Sequence, residues 1–249
     1  MKRMGAVELG GLQRRVAFYG GSFDPPHKAH LAVARAAQKA LSLDEVLFAP
    51  VGTQPLKPDG ATASFADRAA MVRLAIAGEP GFSLSEMDAP RPDGRANYSF
   101  DTLARLKTEL GADCRLFFLM GADSFKNLRQ WHRAKELPFL VTLVVAARPG
   151  EALGALEEKL PEGLAVQRVG GQVLSNGMAL EKFAVRNKDG TVAPLYLLPG
   201  LDYDVSATQL RELLRSGSPE AKDALPAGVA DYLRRHHLYQ RFTGRNATR

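Results

Sequence analysis

Short, almost unbroken apolar runs alternate along this chain with longer segments whose apolar residues recur at helical spacing. No other feature limits the fold as tightly. RRVAFYG, EVLFAPV, FSLSEM, CRLFFLMG, LVTLVVAA and APLYLLPG read as strands, most of them too apolar to keep one face in water. KAHLAVARAAQKAL, SFADRAAMVRLAIAG and SFDTLARLKTEL lie between them and read as helices. Strands buried on both faces need helices on both, and a βαβα order supplies them through parallel crossovers. The expected fold is α/β: an open, doubly wound, mainly parallel sheet. Such sheets bind ligands beyond the carboxyl ends of their strands, where strand order reverses.

From Gly150 to about Pro194 the alternation stops. This stretch is rich in glycine and holds two turn signals, Ser175-Asn176-Gly177 and Asn187-Lys188-Asp189-Gly190. It reads as an inserted excursion with a hairpin, LEKFAVR returning as VAPLYLL, and is either a small subdomain or a long loop. The expected organisation is one domain over residues 14–240, the excursion at about 150–194, and tails at 1–13 and 241–249.

The longest apolar run, Phe139 to Ala147, is far short of the roughly 20 residues that a membrane span needs, so it reads as a buried strand. The opening MKRMGAVELGGLQRR carries positive charge with no apolar stretch behind it, unlike a secretory signal. A cytoplasmic protein with no membrane partner is expected. Cys114 is the only cysteine, which excludes an internal disulfide, and its place at the head of CRLFFLM suggests a core residue. The net charge of +6 and pI near 9.5 favour anionic partners. Arg234, Arg235, Arg241, Arg245 and Arg249 read as a solvated basic end. No basic run is interleaved with exposed aromatics, so RNA binding, which would be strongly salt-dependent, is a minor reading. An oligomer is compatible with the sequence.

Residues 16 to 30, VAFYGGSFDPPHKAH, carry the first chemical signal. Gly20 and Gly21 would let the chain turn tightly as it leaves the first strand and let backbone N–H groups approach a ligand. Asp24-Pro25-Pro26 restricts the approach to a helix starting near Lys28. His27 and His30, three apart at that start, then share a face, and two imidazoles beside a positive helix end make an anion site. Two blander readings compete: each histidine as a surface or capping residue, and a metal site of Asp24, His27 and His30. The metal reading lacks a further strong ligand at motif spacing.

GGSFDPPHKAH resembles the G-[TS]-F-D-P-x-H-x-G-H signature of the adenylyltransferases of the nucleotidyltransferase superfamily, with Ala29 where glycine is usual. Near the other end, LPGLDYDVSATQLRELL leads from a strand into a helix, with Ser206 as N-cap and Thr208 and Arg211 on its first turns. SATQLR matches that superfamily's second motif, [ST]-x-T-x-x-R, where a helix start and an arginine hold a triphosphate. QPLKP, NYSFDTL, MGADSF and RQWHR, in that order, are similar to segments of the bacterial nicotinate-nucleotide adenylyltransferases. The similarity covers nearly the whole chain apart from the excursion.

The resemblance implies a Rossmann-like nucleotidyltransferase fold and transfer of AMP from ATP to nicotinate mononucleotide, with Mg²⁺ accompanying ATP and no metal site made by protein alone. His27, His30 and Arg211, supported by Lys57, would stabilise the transferring phosphoryl group. ATP would meet Gly20, Gly21, Ser22, Phe23, Gly121, Asp123, Ser124, Arg148, Ser206 and Thr208, besides His27, His30 and Arg211. Asp123 would accept ribose hydrogen bonds, its other reading being a helix cap. The mononucleotide would meet Ser22, Lys57, Tyr98, Ser99 and Trp131. Trp131, the only tryptophan, lies in the polar RQWHR, a setting that suits stacking on a pyridine better than a core. Lys57 sits in a proline-bounded loop and otherwise reads as an exposed lysine. The alternatives are nicotinamide mononucleotide as acceptor, or an ATP-binding module without turnover.

Overall fold

Val16, Ala17, Phe18 and Tyr19 are all buried, and successive side chains of the strand they form point to opposite faces. Val16 and Phe18 enter one core, Ala17 and Tyr19 the other, so the strand has no wet face, as its composition predicts. This strand, β1 (Arg14–Gly21), lies inside an eight-stranded sheet. The computed structural model describes residues 13–56, 60–147, 156–173, 179–198 and 206–240.

The other strands are β2 (Glu45–Pro50), β3 (Phe82–Leu84), β4 (Cys114–Gly121), β5 (Thr142–Ala146), β6 (Ala165–Val173), β7 (Ala179–Arg186) and β8 (Val192–Leu198), in the order β3-β2-β1-β4-β5-β8-β7-β6. Pairing is parallel from β3 to β8 and antiparallel from β8 through β7 to β6. The helices are α1 (Lys28–Leu41), α2 (Phe65–Ala75), α3 (Ser99–Leu110), α4 (Ala122–Lys126), α5 (Leu137–Leu140), α6 (Leu156–Lys159), α7 (Ala207–Ser216), α8 (Glu220–Ala224) and α9 (Ala227–Arg235). Leu31, Met71, Leu210 and Val229 bring α1, α2, α7 and α9 onto one face of the sheet, while Leu103, Phe125 and Leu137 bring α3, α4 and α5 onto the other. Helices on both faces make the sheet doubly wound, as the alternation requires.

Three details depart from the sequence reading. The expected hairpin, LEKFAVR returning as VAPLYLL, is present as β7 paired antiparallel with β8, but over its described part the excursion is neither a subdomain nor a loop. β6 and β7 extend the same sheet, and the turn into β8 is closed by the Asn187 Oδ1, which accepts from the Asp189 and Thr191 N–H groups. The apolar run from Phe139 does not start as a strand, because Pro138 favours the first turn of a helix and α5 carries Phe139 and Leu140 before β5 begins at Thr142. Cys114 is half-buried at the edge of a core rather than within it, and burial raises its thiol pKa.

β1 has β2 on one side and β4 on the other, so the chain leaves β1 toward β2 and β3 and then crosses back to place β4 on the opposite side. The carboxyl ends of β1 and β4 therefore flank the switch point of the sheet.

Candidate active site

Two hollows open at that edge, one on each side of the sheet. The larger, about 600 Å³, is lined by His27, Ala29, His30, Ser206, Thr208 and Arg211, among others. The smaller, about 290 Å³, is lined by Asn97, Tyr98, Ser99, Phe118, Trp131 and His132, among others. Gly20, Gly21, Ser22, Asp123 and Ser124 border both, so the end of β1 and the start of α4 form the sill between them.

The glycines act differently from the tight turn expected of them. Gly20 and Gly21 are the last residues of β1. A Cβ on Gly21 would come within 3.2 Å of the Phe23 ring, and one on Gly20 within 3.4 Å of Phe18 and Phe118. Their small size lets aromatic rings close under the sill. The Asp-Pro segment is also less extended than proline suggests, with Phe23 at φ 47° and a cis Asp24–Pro25 peptide bond.

His27 is the N-cap of α1, and its backbone N–H donates to the Nδ1 of His30 at 3.1 Å. That acceptor role leaves Nε2 to carry the proton of the neutral His30 ring. His30 rests on aromatic neighbours, 5.0 Å from Phe23 and 6.2 Å from Tyr19 between ring centroids. Burial lowers the pKa of His27 to about 4, and burial with the adjacent His27 takes His30 well below its ordinary range. Both imidazoles are thus neutral at pH 7 in the free protein. The His27 Nδ1 is buried with no hydrogen-bond partner among the described residues, and His27 lines the larger hollow.

Ser206 caps α7 as expected. Its Oγ accepts from the Gln209 N–H at 3.2 Å, while the Gln209 side chain accepts from the Ser206 N–H at 2.9 Å, a capping box. One turn on, Arg211 donates from Nη2 to Thr208 Oγ1 at 3.2 Å and from Nη1 to the Asp24 carbonyl at 2.9 Å. The two motifs, 187 residues apart, therefore meet in one place. A guanidinium, two neutral imidazoles and the start of a 14-residue helix make one wall of the larger hollow, a set of groups whose chemistry suits a phosphate.

Asp24 holds this wall together, a role its place in the sequence motif did not reveal. It is 3% exposed. Its carboxylate accepts from the Thr62 N–H at 2.7 Å, the Ala63 N–H at 3.0 Å and the Tyr239 hydroxyl at 2.5 Å, with Arg211 Nη1 3.8 Å away. Arg68, 2% exposed, donates to the carbonyls of Ser22 at 2.7 Å and Ala63 at 3.3 Å. Burial lowers the pKa of Arg68, and the nearby Asp24 carboxylate partly offsets that effect. A buried arginine near the start of α2 gives no sequence signal for this task.

In the smaller hollow, Trp131 is partly buried and packs against Phe118 at 6.0 Å. Tyr98 is the N-cap of α3 and Ser99 its first residue, so the unpaired backbone N–H groups of that helix start border the hollow. Sequence reasoning missed Asn97, whose Oδ1 accepts from the Thr53 N–H at 3.1 Å and whose Nδ2 donates to the Ala89 carbonyl at 3.0 Å. It also missed Gln54, which donates to Ser22 Oγ at 3.1 Å, and Asp88, buried against Thr102 with a raised pKa caused first by desolvation. The fold thus gathers Ser22, Phe23, His27, His30, Gly121, Asp123, Ser124, Ser206, Thr208 and Arg211 round one hollow and Tyr98, Ser99 and Trp131 round the other. Lys57 and Arg148 lie outside the described residues.

The donor set is poor for a metal held by protein alone. Among the described residues no three His, Cys, Asp or Glu side chains converge, and both Asp24 oxygens already accept hydrogen bonds.

Residues 18–213 match the family model described as cytidylyltransferase-like. A protein from Laribacter hongkongensis named probable nicotinate-nucleotide adenylyltransferase is 38% identical over 226 residues, covering 90% of this chain and 94% of the relative. One of the same name from Chromobacterium violaceum is 38% identical over 229 residues, covering 92% of this chain and all of the relative. Among solved structures, the Plasmodium falciparum nicotinic acid mononucleotide adenylyltransferase complexed with NaAD has the same fold, with a TM-score of 0.65 at 16% identity over 91% of this chain and 97% of that one.

Proposed function

This chain belongs to the cytidylyltransferase-like family and, within it, to the nicotinate-nucleotide adenylyltransferases, and we infer that it transfers AMP from ATP to nicotinate mononucleotide. The products are nicotinate adenine dinucleotide and pyrophosphate, a step of NAD biosynthesis. The observation that supports this reading is the pair of hollows meeting across Ser22, Asp123 and Ser124, one lined by His27, His30 and Arg211 and the other by Trp131 and the start of α3. A dinucleotide spans such a cleft with its phosphates over the sill.

A phosphate oxygen of the mononucleotide attacks the α-phosphorus of ATP, a P–O bond forms, and the bond to the β-phosphate breaks, releasing pyrophosphate. The nucleophile belongs to the substrate, so the protein aligns the two phosphates and stabilises charge on the oxygens. His30, with its proton on Nε2, and His27 would donate ring N–H groups to those oxygens. Arg211 would supply the positive charge that the neutral imidazoles lack. Asp123 would accept hydrogen bonds from the adenylyl ribose, and Lys57 and Arg148 would add cations to the polyphosphate. Trp131 would stack on the pyridine while Tyr98 and Ser99 hold its carboxylate through backbone N–H groups.

Family members use a divalent cation with ATP; here it would be Mg²⁺, held by phosphate oxygens and water, and when bound it neutralises charge on the polyphosphate. No helix among the described residues is long and apolar enough to cross a membrane; the proposed setting is the cytoplasm. The test is pyrophosphate release from ATP against a panel of mononucleotides. Release with nicotinate mononucleotide supports the reading, and no release with any acceptor overturns it.

A further inference from the structure

The hydroxyl of Tyr239 lies 2.5 Å from Asp24 Oδ1 across 215 residues of chain, and nothing in the reaction above uses it. Tyr239 is 8% exposed. It takes φ 59°, a left-handed conformation that residues with a Cβ adopt only where their surroundings hold them there. The surroundings are explicit. Its ring belongs to the same core as Phe23 and Leu31, its hydroxyl donates to the carboxylate, and burial with that bond raises its pKa far above the ordinary tyrosine range, so it remains a donor at every working pH.

Asp24 is where the segments of the larger hollow are joined. Its Oδ1 takes Tyr239 and Ala63, its Oδ2 takes Thr62, and its carbonyl takes Arg211. Pro25 and Pro26 follow it with fixed φ, so a movement of Asp24 carries His27 at the start of α1. The same movement releases one arm of the Arg211 fork. We propose that Tyr239 is a positioning residue for the adenylyl transfer: its hydroxyl holds the Asp24 carboxylate in the one orientation that sets His27, His30 and Arg211 on the same phosphates. This role rests on the adenylyltransferase reading. It acts on the larger hollow and leaves the smaller one, across the sheet, untouched.

The test is Tyr239→Phe, which removes one oxygen and keeps the ring. A small misplacement of catalytic groups costs up to about 10²-fold in rate; the expected result is a kcat about tenfold lower, with KM for nicotinate mononucleotide within about twofold of wild type. Mononucleotide binding is followed separately by the fluorescence of Trp131, the only tryptophan. Leu238→Ala, a packing change in the adjacent residue of the same core, serves as the control; it should lower Tm yet keep wild-type kcat at temperatures where it is folded. Wild-type kcat in Tyr239→Phe overturns the proposal, as does an equal loss in Leu238→Ala. An inert wild type would instead sink the adenylyltransferase reading itself, so the two failures are distinct.

Discussion

The imidazole rings of His27 and His30 lie with their centroids 3.8 Å apart, and burial keeps both neutral at pH 7. Two imidazolium rings at that distance would repel each other. Two neutral rings can sit together and each present one N–H to a phosphate, and the nearby Arg211 carries the charge.

In the proposed mechanism His30→Ala removes a donor to the transferring phosphate, and losing one such donor costs about 10² to 10³ in kcat. It also removes the acceptor of the His27 N–H, a part-buried bond, so stability should fall by about 1 kcal/mol, the net worth of one hydrogen bond. Steady-state rates and urea unfolding of the same variant measure both effects. Wild-type turnover would take His30 out of the mechanism.

Stability should depend on pH below neutrality. The folded-state pKa of His27, about 4, lies below its unfolded value near 6.5, so the unfolded chain takes up protons first as pH falls. The stability is intact above about pH 6.5 and is lost as pH falls through the window down to about 4. For His27 alone the loss between pH 7 and pH 5 is roughly 2 kcal/mol, and His30 shifts in the same direction. Urea unfolding at the two pH values measures it. A flat profile would mean that the two rings are hydrated in the free protein.

Much of this site was legible in the sequence because its motifs are local. The start of α1 at Lys28, the Ser206 cap and the pairing of Thr208 with Arg211 all follow from short-range spacing. The sheet was legible for a similar reason, since continuous apolar runs leave a strand nowhere to lie but between two layers. The supporting residues were not, because Arg68, Asn97 and Tyr239 act through partners tens to hundreds of residues away and no local pattern marks them. The protonation of the histidines was not legible either, because the aromatic surroundings of His30, Phe23 and Tyr19, exist only in the fold.

Arg211→Lys keeps the charge and loses the fork that spans Asp24 and Thr208. A lysine cannot hold the Asp24 carbonyl and a phosphate in fixed geometry together. Turnover should drop at least about tenfold, equivalent to one charge-assisted hydrogen bond of about 1.5 kcal/mol. Equal activity in a side-by-side assay would contradict a two-armed contact.

Trp131→Ala should lower kcat/KM about tenfold for nicotinate and nicotinamide mononucleotides alike, since base-type stacking is worth about 1 to 3 kcal/mol and does not read the substituent. The ratio between the two acceptors should stay as in wild type. A changed ratio would show that Trp131 senses the carboxylate itself.

The central claim, that the smaller hollow reads an acid, is tested most directly by comparing the two mononucleotides at saturating MgATP. The start of α3 at Tyr98 and Ser99 offers backbone N–H groups that a carboxylate can accept from with both oxygens. An amide would turn its own N–H₂ toward one of them and leave a donor unpaired, at about 1 to 3 kcal/mol. The predicted result is a preference for nicotinate mononucleotide of about tenfold to a hundredfold in kcat/KM. Equal efficiencies, or a preference for the amide, would contradict it.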